Sequence, residues 1–173
     1  MIRIILLVLF LVAGNAASLA ADKPYLRRYA LIIGANDGGD SRVRLRYAGS
    51  DARAVSSVLT RLGGLEDRNM IFLDQPSVFE VLNAFLRLNV MITSSRGSSE
   101  RTELVFYYSG HSDETGLLLS GRTLPYTLLR QALGDINSDI KMAFLDSCSS
   151  GTLVRLKGGT MSSPFLHDTS MKM

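Results

Sequence analysis

The sequence predicts a three-layer α/β fold, in which a mainly parallel β-sheet is flanked by helices on both faces. Short apolar runs recur along the chain without alternating polar residues, as in strands that are buried on both faces of a parallel sheet. The longer segments between them carry apolar residues at helical spacing. The chain has 173 residues, of which 46% are hydrophobic, and this is enough for a domain with a buried core.

Four apolar runs predict the strands of the sheet. They lie at 29–33, 69–73, 104–108 and 141–145. Between the last two strands, 117–119 and 123–124 predict a small hairpin, and 126–133 predicts a short helix. This order of strands and helices is typical of a parallel sheet whose strands are joined by helical crossovers.

Two further helices have recognisable ends. Ser50 and Asp51 are suitable N-terminal caps for the first helix, and the glycine pair at 63–64 ends it. Ser77 and Glu80 have the spacing of a capping box, which predicts the start of the second helix.

The first 20 residues predict a secretory signal peptide. Arg3 supplies a positive charge, 4–12 is an apolar run, and the small residues that follow predict cleavage after Ala20. The alternative is an uncleaved membrane anchor, but the apolar stretch is shorter than the roughly 20 residues of a spanning helix. No cysteine follows the apolar run directly, which disfavours a lipoprotein anchor.

We therefore expect the mature protein to be secreted or periplasmic, without stable membrane insertion after cleavage. The expected domain covers 25–159. The remaining 160–173 is expected to be a loose tail, because it contains no sustained apolar run.

Charge and cysteine content exclude several classes of function. The net charge of +3 comes from scattered residues, so we expect no nucleic-acid groove. The single cysteine excludes an internal disulfide and an ordinary cysteine-based zinc site. The glycine-rich 34–39 lacks both the spacing and the lysine of a nucleotide-binding loop. We expect neither an organic cofactor nor a metal.

Two reactive residues follow the third and fourth predicted strands. His111 follows the third strand after two intervening residues, and Cys148 follows the fourth in the same way. Ligands bind at the carboxyl ends of parallel strands, so these side chains meet there if the two strands are neighbours. A thiol becomes a useful nucleophile beside a base, and an imidazole can later protonate a leaving amine.

Each residue also has a structural interpretation. A free cysteine is usually a small buried apolar residue, but the neighbours of Cys148 are polar. His111 alone can be a solvated loop histidine. Their joint position at two strand ends favours a catalytic pair.

Four short stretches resemble the caspase-like cysteine peptidases, in particular the metacaspase and bacterial caspase-domain branch. They are Tyr29–Asn36 (YALIIGAN), Leu45–Ala52 (LRYAGSDA), Tyr107–His111 (YYSGH) and Asp146–Gly151 (DSCSSG). The last two form the more specific signal. The resemblance implies an endopeptidase that cleaves a peptide or protein substrate with a Cys–His dyad.

The resemblance also implies roles for single residues. Cys148 matches the nucleophile, and His111 matches the catalytic histidine. Asp146, two residues before the nucleophile, matches the acid that selects basic P1 side chains; alternatively, it caps neighbouring amides at the strand end. The oxyanion hole would use the N–H groups of Cys148 and of the residue after the histidine, which is Ser112 here instead of the usual glycine.

The family has further strands and a helix after the nucleophile. Only 22 residues follow Gly151, so we expect the C-terminal strands to be missing. Two alternatives to an active enzyme follow. One is an inactive caspase-like domain that binds a protein partner, or a second copy of itself, through an exposed sheet edge. The other is a gene fragment.

The signal-peptide interpretation predicts the N-terminus of the mature protein. After expression in a secreting host, N-terminal sequencing of the exported protein should begin at Ala21 or within a residue or two. A mature protein that retains Met1 would contradict cleavage and favour the anchor.

Overall fold

The strands and helices occupy most of the region in which the sequence predicts a domain. The computed structural model describes residues 25–95, 97 and 100–148, so the predicted signal segment and the predicted tail lie outside it. The strands are β1 (Tyr25–Ala35), β2 (Met70–Asp74), β3 (Glu100–Gly110), β4 (Gly116–Leu119), β5 (Arg122–Pro125) and β6 (Ile140–Asp146). The helices are α1 (Ala48–Arg61), α2 (Val78–Ser95) and α3 (Tyr126–Asp135), with a short 3-10 turn at Asp67–Asn69.

Four strands form one sheet in the order β2-β1-β3-β6, and every neighbouring pair is parallel. The hairpin β4–β5 is antiparallel and stands apart from this sheet. The fold class predicted from the sequence, a mainly parallel sheet flanked by helices, is therefore confirmed.

The two faces of the sheet bury different clusters because alternate side chains of a strand point to opposite faces. On one face, Leu31 of β1 and Phe106 of β3 pack with residues of α2, α3 and the hairpin. On the other face, Ile32 and Tyr107 pack with α1 residues such as Ala52. The sheet is thus the middle layer of three, as the continuous apolar runs predict.

The predicted capping box is confirmed at the start of α2. The Ser77 backbone N–H donates to the Glu80 carboxylate over 2.7 Å, and the Glu80 N–H donates to the Ser77 hydroxyl over 3.3 Å. The Ser77 N–H and the Ser77 hydroxyl, which donates to the same carboxylate over 2.8 Å, lower the pKa of Glu80 because they stabilise its ionised form.

The predicted cap of α1 is wrong. The helix begins at Ala48, and its N-cap is Tyr47, whose own side chain makes no capping bond, so Ser50 and Asp51 lie inside the first turn. The Asn36 side chain accounts for this early start, because its Oδ1 accepts a hydrogen bond of 3.0 Å from the Gly49 N–H, which has no partner inside the helix. Asp51 is therefore available for another role near the sheet edge.

Strand β6 has a partner on one side only among the described strands. Its side chains are partly exposed, and Phe144, on the face that carries α1, is 50% exposed. No helix within the described residues is long and apolar enough to cross a membrane.

Candidate active site

The register of the sheet brings the two predicted catalytic residues to the same edge. Ser109 of β3 pairs with Asp146 of β6. His111 and Cys148 each lie two residues further along the chain, just beyond the ends of these parallel strands. The condition on which the sequence argument depends, that these strands are neighbours, is therefore met. Cys148 is exposed, and His111 is half-buried.

A backbone carbonyl orients the His111 ring. Its Nε2 atom lies 2.8 Å from the carbonyl oxygen of Val43, in the loop between β1 and α1. A carbonyl oxygen only accepts hydrogen bonds, so Nε2 must carry the hydrogen. The neutral ring then keeps its lone pair on Nδ1, the nitrogen that can act as a base.

The loop also contacts one side of the His111 ring. A Cβ on Gly38 would lie 2.6 Å from Cδ2 of His111, so only glycine permits this approach. Because the Cδ2–Nε2 edge of the ring faces the loop, the edge that carries Nδ1 is turned away from it.

Two hydrogen bonds fix the backbone of His111. Its carbonyl oxygen accepts a hydrogen bond of 2.6 Å from the Tyr108 hydroxyl and one of 2.9 Å from the Leu118 N–H. Burial raises the pKa of Tyr108 far above its usual range, so the hydroxyl remains a donor.

Ser112 is accommodated at the position where the resembled family usually has glycine. It is 4% exposed and does not have a positive φ, so its Cβ causes no backbone strain. Its side chain hydrogen-bonds to Tyr126, and that bond partly offsets the rise in the pKa of Tyr126 that burial causes.

An open cleft of about 410 Å³ joins Ser112 to Cys148. Its other lining residues are Arg42, Asp113, Glu114 and Thr115. The two residues that the sequence assigns to the oxyanion hole therefore line one cleft. His111 does not line it and lies beside the loop that holds its ring.

Two carboxylates affect the Tyr107 hydroxyl. The hydroxyls of Tyr107 and Ser109 both lie 3.5 Å from Oδ2 of Asp146. Burial is the largest cause of the raised pKa of Tyr107, followed by the negative charge of Asp146 and, more weakly, by that of Asp51. Asp146 on β6 and Asp51 on α1 therefore act on the same phenol, and the two carboxylates are called the acidic cluster below.

Sequence reasoning missed three of these contributors. Val43 acts through its backbone, which no side-chain pattern reveals. Gly38 lies in the glycine-rich 34–39, where the sequence pattern bears only on a nucleotide-binding loop. Asp51 lies within the matching stretch 45–52, but it was interpreted as a helix cap. Within the described residues, no three potential metal-ligating side chains cluster together.

The acidic cluster predicts how the Tyr107 phenol titrates. Asp146→Asn should lower the pKa of Tyr107, because the carboxylate disfavours a second negative charge nearby. Asp51→Asn should lower it less. NMR titration of ¹³C-labelled tyrosine rings measures both shifts. An unchanged Tyr107 titration in Asp146→Asn, with Asp67→Asn as the control at the opposite edge of the sheet, would contradict the cluster.

Comparison with known proteins identifies the family of the chain. A search of curated proteins finds no match to the chain. A family model described as caspase domain matches residues 27–171, most of the chain's length. The chain belongs to the caspase-domain family and is, at the family level, a caspase-like cysteine peptidase.

Proposed function

We propose that this protein is a cysteine endopeptidase in which His111 and Cys148 form the catalytic dyad. The observation that carries the proposal is the orientation of the imidazole. The Val43 carbonyl accepts a hydrogen bond from the Nε2–H group, so the nitrogen that can act as a base is Nδ1. The pairing of Ser109 with Asp146 supports the placing of Cys148 beside His111. Each of the two residues follows its member of this pair by two positions, at the ends of neighbouring strands.

The reaction then follows the chemistry of an activated thiol. His111 accepts the Cys148 proton, and the thiolate attacks the scissile carbonyl carbon. The N–H groups of Cys148 and Ser112 stabilise the oxyanion as it forms. His111 returns the proton to the leaving amine, which leaves a thioester. Water activated by His111 hydrolyses that thioester and restores the thiol.

The acidic cluster supports a preference for arginine or lysine at P1. Asp146 lies two residues before Cys148, and the charge of Asp51 on α1 acts on the Tyr107 phenol that Asp146 contacts. A guanidinium or ammonium group placed there would form charge-assisted hydrogen bonds with the carboxylates. The hydroxyls of Tyr107 and Ser109 would help to hold the Asp146 carboxylate in place.

An alternative is a non-catalytic domain that binds a partner through the edge of β6. Phe144 on β6 is half-exposed, and β6 has a neighbouring strand on one side only among the described strands. Both observations favour this possibility. A second copy of the chain is one such partner. Peptide turnover separates the two functions, because a binding module needs no dyad.

The dyad predicts the effect of two substitutions on peptide cleavage. Cys148→Ala and His111→Ala should each lower kcat/KM by about 10⁴-fold or more, because the two groups act as a unit. Fluorogenic peptide hydrolysis measures the effect, with His167→Ala as the matched histidine control. Turnover that survives Cys148→Ala would exclude this mechanism.

The specificity proposal predicts a change in P1 preference. Asp146→Asn should weaken the preference for arginine over leucine by about 10- to 150-fold, the value of a hydrogen bond to a charged group. Asp51→Asn should act in the same direction, and Asp67→Asn should have no effect. Competition between matched peptides that differ only at P1 gives the ratio. Equal cleavage after Arg, Asp and Leu by the unmodified protein would refute the preference.

A further inference from the structure

Gln75 has an unusual backbone conformation directly after β2. Its φ is +54°, which glycine adopts easily and other residues rarely do. Its N–H donates to the Gly34 carbonyl over 2.8 Å and so extends the contact between β2 and β1 by one residue. Strained backbone of this kind persists where surrounding contacts hold it.

The Gln75 side chain holds the start of the loop that orients His111. Its Oε1 atom accepts a hydrogen bond of 2.5 Å from the Asn36 N–H and a longer one of 3.4 Å from the Asp37 N–H. These are the first two residues after β1. Gln75 thus combines a left-handed backbone conformation with a side chain that bonds to the residues following the neighbouring strand β1.

Asn36 connects this contact to the far end of the loop. Its carbonyl accepts a 2.8 Å hydrogen bond from the Leu45 N–H, and its Oδ1 accepts one of 3.0 Å from the Gly49 N–H. Val43 lies two residues before Leu45. The shorter bond from Gln75 holds the peptide unit before Asn36. The longer one holds the unit between Asn36 and Asp37, whose carbonyl accepts the Leu45 N–H and so closes the loop around Val43.

The hairpin holds the same part of the loop from the other side. The Ser120 N–H donates to the Asp37 carbonyl over 3.2 Å. If Gln75 is removed, this contact and the Asn36 side chain still tether the loop. The expected effect of losing Gln75 is therefore a displaced Val43 carbonyl rather than an unfolded loop.

We infer that Gln75 is a positioning residue for His111. It acts through the chain of hydrogen bonds from Asn36 to Leu45, which sets where the Val43 carbonyl meets Nε2. Gln75 itself touches neither His111 nor Cys148 in any described contact. The inference rests on the proposed function for its effect on catalysis, but its effect on the His111 ring is independent of catalysis.

Two substitutions separate positioning from folding. Gln75→Gly removes the Oε1 acceptor but keeps the turn, because glycine adopts positive φ without a steric cost. Gln75→Glu keeps an acceptor oxygen at the same place and should restore function. Gln131→Ala, at the exposed surface of α3, is the matched glutamine control.

The first measurement is the tautomer of the His111 ring, by ¹⁵N NMR of the full chain carrying His167→Asn so that one histidine remains. At about pH 9, where an ordinary histidine is neutral, the parent and Gln75→Glu should show mainly the Nε2–H form. Gln75→Gly should show a mixture of both tautomers. The second measurement is peptide turnover: in Gln75→Gly, kcat should fall by about 10- to 100-fold with KM little changed.

An unchanged His111 tautomer in Gln75→Gly would overturn the inference, whatever the turnover rate. If the parent protein cleaves no peptide, that result counts against the proposed function alone, and the tautomer measurement still decides the role of Gln75.

Discussion

The parallel register of β3 with both of its neighbours is the constraint on which the candidate site depends. Asp74, Gly34, Ser109 and Asp146 lie in one row across the four strands. All four strands end within a residue or two of this row. The loop that carries Val43, the His111 segment and the Cys148 segment therefore leave the sheet at the same level. A shift of one residue in β3 would also turn His111 to the opposite face.

Backbone groups fix the position of the His111 side chain and of the His111 backbone. The His111 ring is fixed by one carbonyl, and the carbonyl of His111 itself is fixed by a buried hydroxyl and by the hairpin. The acidic groups come instead from side chains on β6 and α1. Different residues thus fix the position of the imidazole and supply the negative charge, so a substitution of Asp146 or Asp51 need not disturb the orientation of the ring.

The sequence predicted the strands and helices well because continuous apolar runs and a capping box are local signals. It also predicted that His111 and Cys148 share an edge, since parallel strands end together. It could not predict the role of Val43, which acts through its carbonyl, or that of Gln75, whose side chain bonds to a peptide 39 residues earlier. It placed the helix cap at Ser50 and Asp51, because the side chain that accepts from the first turn belongs to Asn36, 13 residues before Gly49.

The most direct test of the account is the rate at which iodoacetamide alkylates Cys148, the chain's single cysteine, at pH 7. A small reagent needs no peptide groove, so the rate reports on the thiol and its neighbours alone. If the strand ends bring His111 to Cys148, His111→Gln should slow alkylation by about tenfold or more, since an isolated thiol is only a few per cent thiolate at this pH. Equal rates in the parent protein and in His111→Gln would show that the two residues do not act together.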